Sequence, residues 1–178
     1  MCIRDSLDGN GRLGRLLITL MLINDGVLHS CLFYPSFQFK KNRSEYYRQL
    51  TSVRERGTYE EWIEFFCNSL LESAKDSVGS LKNLVDLHNR STATITENLG
   101  RTAANGQRLL GILEEHPIVD TAFIAAQLDI GRSTASSLVK SFEELGILRP
   151  LDESRQRYRQ YGYEEYLSIL REDAEPIR

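Results

Sequence analysis

The stretch that most restricts the fold lies near the start. Residues 8–15 read Asp8-Gly9-Asn10-Gly11-Arg12-Leu13-Gly14-Arg15, and an apolar run from Leu16 to Ile23 follows directly. Apolar residues at Leu16, Leu17, Leu20, Met21 and Ile23 form a wide stripe, which predicts a buried helix beginning at Leu16. Asn24-Asp25-Gly26 supplies turn chemistry and a glycine to end it. A glycine-rich turn feeding a helix offers unpaired backbone N–H groups and the positive end of the helix dipole. Arg12 and Arg15, at i and i+3, share a helical face and can fork onto phosphate oxygens. Asp8 is a hard oxygen ligand suited to a magnesium ion held against those phosphates. Taken alone, the same residues also fit an exposed Asn-Gly turn capping an ordinary core helix.

Further pieces accompany the loop: Leu16-Leu17-Ile18-Thr19-Leu20, Phe33-Tyr34-Pro35-Ser36, Glu45-Tyr46-Tyr47, and Tyr59-Glu60-Glu61-Trp62-Ile63-Glu64-Phe65-Phe66. Together they resemble the Fic family, whose signature is His-x-Phe-x-Asp/Glu-Gly-Asn-Gly-Arg-x-x-Arg. The match covers the last eight positions of that signature, Asp8 to Arg15. The resemblance implies transfer of AMP from ATP to a Ser, Thr or Tyr hydroxyl of a target protein. In that scheme Asp8 holds Mg2+, Gly9, Asn10, Gly11 and Gly14 cradle the anion, and Arg12 and Arg15 bind phosphates. Arg15 is then the nearer partner of the γ-phosphate. Tyr46 and Tyr47 match the family's paired tyrosines near base and sugar, although core packing by one of the rings fits equally well. Arg54 is a weaker candidate for the same pocket.

The family's catalytic histidine falls at Arg4 and its phenylalanine at Ser6. No residue is then placed to take the hydroxyl proton, so the chain as written is expected to be inactive as a transferase. Nothing in the spacing returns His29 to the loop. Residues 1–6 fit neither a helix nor a strand pattern and read as a non-native leader. The expectation is the C-terminal part of a longer protein, lacking the front helices of the bundle and therefore part of its core. The segment Thr94 to Asn98 faintly resembles the family's inhibitory motif around Glu97, but its spacing fails at Ala93.

Bulk properties exclude several classes. With 178 residues, one or two domains are expected. No apolar run approaches the length of a membrane span. The three cysteines, Cys2, Cys31 and Cys67, are odd in number and far apart, so neither a disulfide framework nor a zinc site is indicated. A reducing cytoplasm is the expected setting. The net charge of −3 argues against a globally basic nucleic-acid binder.

Along the chain, 7–75 reads as the Fic remnant, with helices from Lys40 to Arg54 and from Thr58 onward, and residues 27–39 as a connection. Residues 76–103 read as a helical linker ending near Gly100, whose pattern permits a homodimer contact without requiring one. Residues 104–178 form a second domain. It has a helix through Leu109 and Leu113, stopped by His116-Pro117, and a short helix capped by Asp120 or Thr121. A turn at Asp129-Ile130-Gly131 precedes a third helix, Arg132 to Leu145. A strand begins at Ile147-Leu148, a return strand covers Tyr161 to Tyr163, and a last helix includes Tyr166 and Leu170. Two helices joined by a tight turn and followed by a hairpin resemble a winged helix-turn-helix. The fold class expected is mainly α: a partial Fic bundle, a helical linker and a C-terminal winged helix of three helices plus a small hairpin. Such winged domains are familiar at the C-termini of Fic proteins.

Arg132, Ser133, Thr134, Ser136, Ser137 and Lys140 face outward on the third helix, and Arg149, Arg155, Arg157 and Arg159 lie on the wing. Phosphate contact with DNA follows from that chemistry. Between 132 and 160 there are six basic and four acidic residues, a small excess, so protein docking or dimerisation stays open beside it.

Overall fold

The computed structural model describes residues 10–28, 35–152 and 159–172. The chain is mainly helical with one small antiparallel sheet, and it divides into two compact units, Met1–Gly79 with Asp173–Arg178, and Ser80–Glu172. Among the described residues no helix is long and apolar enough to cross a membrane.

The first unit holds α1 (Asn10–Asn24), α2 (Pro35–Lys41), α3 (Arg43–Arg56) and the beginning of α4 (Tyr59–Asn98). Gly26, at φ 71°, turns the chain after α1, and the Val27 N–H returns to the Leu22 carbonyl. Two expectations need correction. Helix α1 begins at Asn10 rather than Leu16, so Asn10 to Arg15 are helical instead of forming a loop. Its apolar stripe is also not buried: Leu13, Leu16, Leu17, Leu20 and Met21 are each more than half exposed. The period is right for an amphipathic helix, but a period does not supply the surface that the stripe would pack against. The connection expected over 27–39 contains α2, for which Pro35 is well suited as the first helical residue because its missing N–H would be unpaired there anyway.

What the first unit does bury is aromatic. Phe39 packs against Tyr46, Phe65 and Phe66, and Trp62 against Tyr46, Phe65 and Phe66, with ring centroids 5.4–6.4 Å apart. Buried Gln38 donates from Nε2 to Asp76 Oδ2 at 2.5 Å, tying α2 to α4. Helix α3 stops at Gly57, whose φ of 73° suits a residue without a Cβ. Ser52 and Thr58 hydroxyls sit 2.6 Å apart across that turn, and Arg56 donates to Ser52 Oγ.

The second unit closes a full core. Its elements after α4 are α5 (Ala103–Glu115), β1 (Ile118–Asp120), α6 (Thr121–Leu128), α7 (Arg132–Glu144), β2 (Arg149–Pro150), β3 (Gln160–Gly162) and α8 (Glu164–Glu172). Leu87 and Ile95 of α4, from the stretch read as linker, belong to this core with Leu109, Leu113, Ile124 and Phe142. The sheet runs β1-β3-β2, with Ile118 opposite Gly162 and Arg149 also opposite Gly162. Strand β1 is absent from the sequence reading, since three residues after a proline show no alternation. The hairpin strands lie one or two residues away from the expected positions: Ile147 and Leu148 are buried but precede β2. Asp120 caps α6 by accepting from the Phe123 N–H at 2.8 Å. Asp129, at φ 54°, makes the left-handed turn between α6 and α7.

Candidate functional site

Of the expected nucleotide site, Arg4, Ser6, Asp8 and Gly9 lie outside the described residues, as do His29, Phe33 and Tyr34. Asn10, Gly11 and Arg12 are described as helix backbone only. The first N–H groups of α1 therefore fall within the Asn10–Leu13 segment, where they have no carbonyl partner inside the helix. Arg15 follows one turn later, half-buried, with no ion pair among the described residues. Beside Gly14 the space is open, with nothing within 4 Å of an added Cβ.

The paired tyrosines divide their work. Tyr46 is enclosed by Phe39 and Trp62, a packing position. Tyr47 is exposed, meets Tyr46 edge-on at 5.4 Å, and carries the Arg43 guanidinium 5.7 Å from its ring centroid. Sequence reasoning missed Arg43, although its spacing of four residues from Tyr47 was the available signal. Arg54 is exposed on α3. Among the described residues no hydrogen bond, ion pair or ring contact joins Arg15 to Tyr46, Tyr47 or Arg54. No group of three or more His, Cys, Asp or Glu assembles there either, and Asp8 lies outside that set.

A second surface is carried by α7. On α7 the inner side is Ala135, Leu138, Val139 and Phe142, all buried. The opposite side exposes Arg132, Ser133, Thr134, Ser136, Ser137 and Lys140. Small hydroxyl side chains keep this face low, so a partner can approach the backbone closely. Lys140 is partly offset by Glu144 at 3.8 Å. Arg149 and Arg159 are exposed at the two strands, Arg159 already having a partner, while Arg155 and Arg157 lie outside the described residues.

Polar contacts anchor α4 within the second unit. Tyr163 shares a buried 2.8 Å hydrogen bond with Ser91, and Tyr166 donates to the Glu114 carbonyl. His88 and Glu114 meet at 2.7 Å, as do Arg90 and Glu165. His88 thus has a structural partner, while Glu97 is an exposed residue near the end of α4. No family model matches the chain.

Proposed function

We propose that this chain is the C-terminal part of a Fic-type protein adenylyltransferase that retains a magnesium-nucleotide cradle and lacks the base for transfer. The observation that carries the reading is the Asp8–Arg15 motif, together with the start of α1 inside it. A helix opening at Asn10 puts unpaired N–H groups, Arg12 and Arg15 within its first two turns, an arrangement suited to an anion. The open space beside Gly14 leaves room for a close approach. Asp8 would hold the Mg2+ that travels with ATP, whose charge offsets that of the phosphates. The exposed ring of Tyr47 is the one available for stacking on a base. Transfer to a target hydroxyl also needs a proton acceptor, and Arg4 occupies that place. Losing a general base typically costs ~10²–10⁴ in rate.

The expected result is Mg-ATP binding without transfer of labelled AMP. Arg15→Ala weakens that binding about tenfold, the loss of one charge-assisted phosphate contact. Restoring the family's residues with R4H/S6F, in a chain extended upstream by the family's front helices, gives label transfer. Failure to bind Mg-ATP, or no label from the restored protein, removes the reading.

A second reading rests on α7, whose exposed cationic and hydroxyl face lies over a closed core. Here the chain is a non-enzymatic regulator, and its C-terminal unit, read as a winged helix, lays α7 against duplex DNA. With two or three phosphates contacted, the affinity falls with salt at a log–log slope of about −2 to −3. Arg132→Ala flattens that slope by about one unit. A response independent of salt turns the reading to protein docking.

A further inference from the structure

Helix α4 is held on both sides of its middle and by little at the middle itself. Its first half is tied into the first unit: Phe65 and Phe66 pack on Phe39, Ser69 and Ser73 are buried, and Gln38 donates to Asp76. Its second half is tied into the other unit, where Leu87 and Ile95 are buried, Ser91 meets Tyr163, and His88 meets Glu114. From residue 74 to residue 86 no residue is buried. Among the described residues, none from 77 to 83 makes a side-chain hydrogen bond, ion pair or ring contact with another element, Ser77 bonding only back to Ser73. The sequence at this place is Ser77-Val78-Gly79-Ser80, with the only glycine of α4. Glycine is the least favourable residue of a helix interior after proline. Packing does not ask for it here, since an added Cβ at position 79 meets nothing within 4 Å.

We propose that Gly79–Ser80 is a hinge, at which α4 opens between residues 77 and 83 while each half stays with the unit that anchors it. Helix bends concentrate at Gly/Ser pairs. Local opening selects stretches with few buried contacts and solvent-exposed backbone hydrogen bonds. Both conditions meet at the residues between which the chain divides into its two units. The hinge does not depend on what either unit binds.

Amide hydrogen exchange of the full chain tests it. The amides of 79–84 are expected to exchange about tenfold or more faster than those of 66–70 and 91–95. Gly79→Ala slows them about fivefold, the gain in helix propensity from glycine to alanine. Gly111→Ala, in equally open space on α5, leaves them unchanged. A distance along the helix separates bending at one place from general fraying. With C2S/C31S/C67S, spin labels at E72C and D86C stand about 21 Å apart on a straight helix at 1.5 Å per residue. Their distance distribution extends to shorter values, and Gly79→Ala narrows it. Exchange as slow at 79–84 as at 91–95 overturns the proposal. So does an exchange rate or a distance distribution that Gly79→Ala leaves unchanged, or an equal slowing by Gly111→Ala.

Discussion

The two units hold similar kinds of residue and use them differently. In Ser80–Glu172, leucines at helical spacing are enclosed: Leu109 and Leu113 are 0% exposed, and Phe142 with them. In the first unit, α1 also has an apolar stripe, yet Leu13, Leu16, Leu17 and Leu20 stand more than half exposed, and the aromatic rings of Phe39, Tyr46 and Trp62 do the packing. The hydrophobic term follows the area removed from water and not the residue's name. Equal substitutions should therefore have unequal effects. Leu109→Ala is expected to cost about 2–5 kcal/mol, and Leu20→Ala under about 1 kcal/mol. Urea unfolding of each variant by circular dichroism, with the single Trp62 as a fluorescent reporter of the first unit, measures both. Equal costs would break the comparison.

Glycines sharpen it with a smaller effect. A Cβ on Gly106 in α5 would lie 2.7 Å from Leu99 Cδ1 and 2.8 Å from Ile95 Cγ2, inside a filled core. Gly106→Ala is expected to destabilise by about 1–3 kcal/mol, since Ile95 is stiff at its branch and fully buried. Gly14 in α1 has open space around it. Gly14→Ala should raise stability by about 0.5–1 kcal/mol through helix propensity and the unfolded chain's lost freedom. The same thermal or urea melts report both signs. A stabilising Gly106→Ala would mean that the core is looser than its distances.

That contrast also marks what the residues disclosed in advance. Local chemistry was legible: a cap at Asp120 or Thr121, Gly26 as a stop, the turn at Asp129, and the outward face of α7. Burial of α1 was not, because a stripe records that a helix has an apolar face and says nothing of what covers it. The start of α1 at Asn10 was missed for a related reason. Glycines at 11 and 14 lower helix propensity, but Gly11 falls in the first turn, whose N–H groups are unpaired in any case. Strand β1 depends on its pairing with β3, a contact between residues some forty positions apart that no local window contains. At the candidate sites the residue types were legible, and so was the choice between packing and access offered by Tyr46 and Tyr47. Which ring took which role depended on Phe39 and Trp62, and thus on tertiary packing.

The smallest effect separates the units by pH. In the second unit, burial pushes the Tyr163 phenol above its ordinary 10.0, and the Ser91 hydrogen bond only partly opposes that. A raised folded-state value means the folded state holds its proton longer than the unfolded chain. The associated stability is complete below pH 10.0 and is lost as pH rises through the higher folded value. In the first unit, exposed Glu45 is held below its ordinary 4.5, first by the Arg48 hydrogen bond and then by Gln49. Its contribution is present above that value and fades as pH falls through the lowered one. The second unit should thus meet an alkaline limit, while the surface Glu45–Arg48 pair gives α3 only a slight acid dependence. Tyr163→Phe is expected to cost about 1 kcal/mol at neutral pH, the net worth of one hydrogen bond. It should also flatten the fall in stability above pH 10.0, read from urea midpoints across the alkaline range. An unchanged alkaline slope would assign that limit to partly buried Tyr166, whose value burial also raises. Because Tyr163 meets Ser91 on α4, this titration reports how firmly the part of α4 after Ser80 is held in the second unit. The half-exposed leucines of α1 offer no such handle.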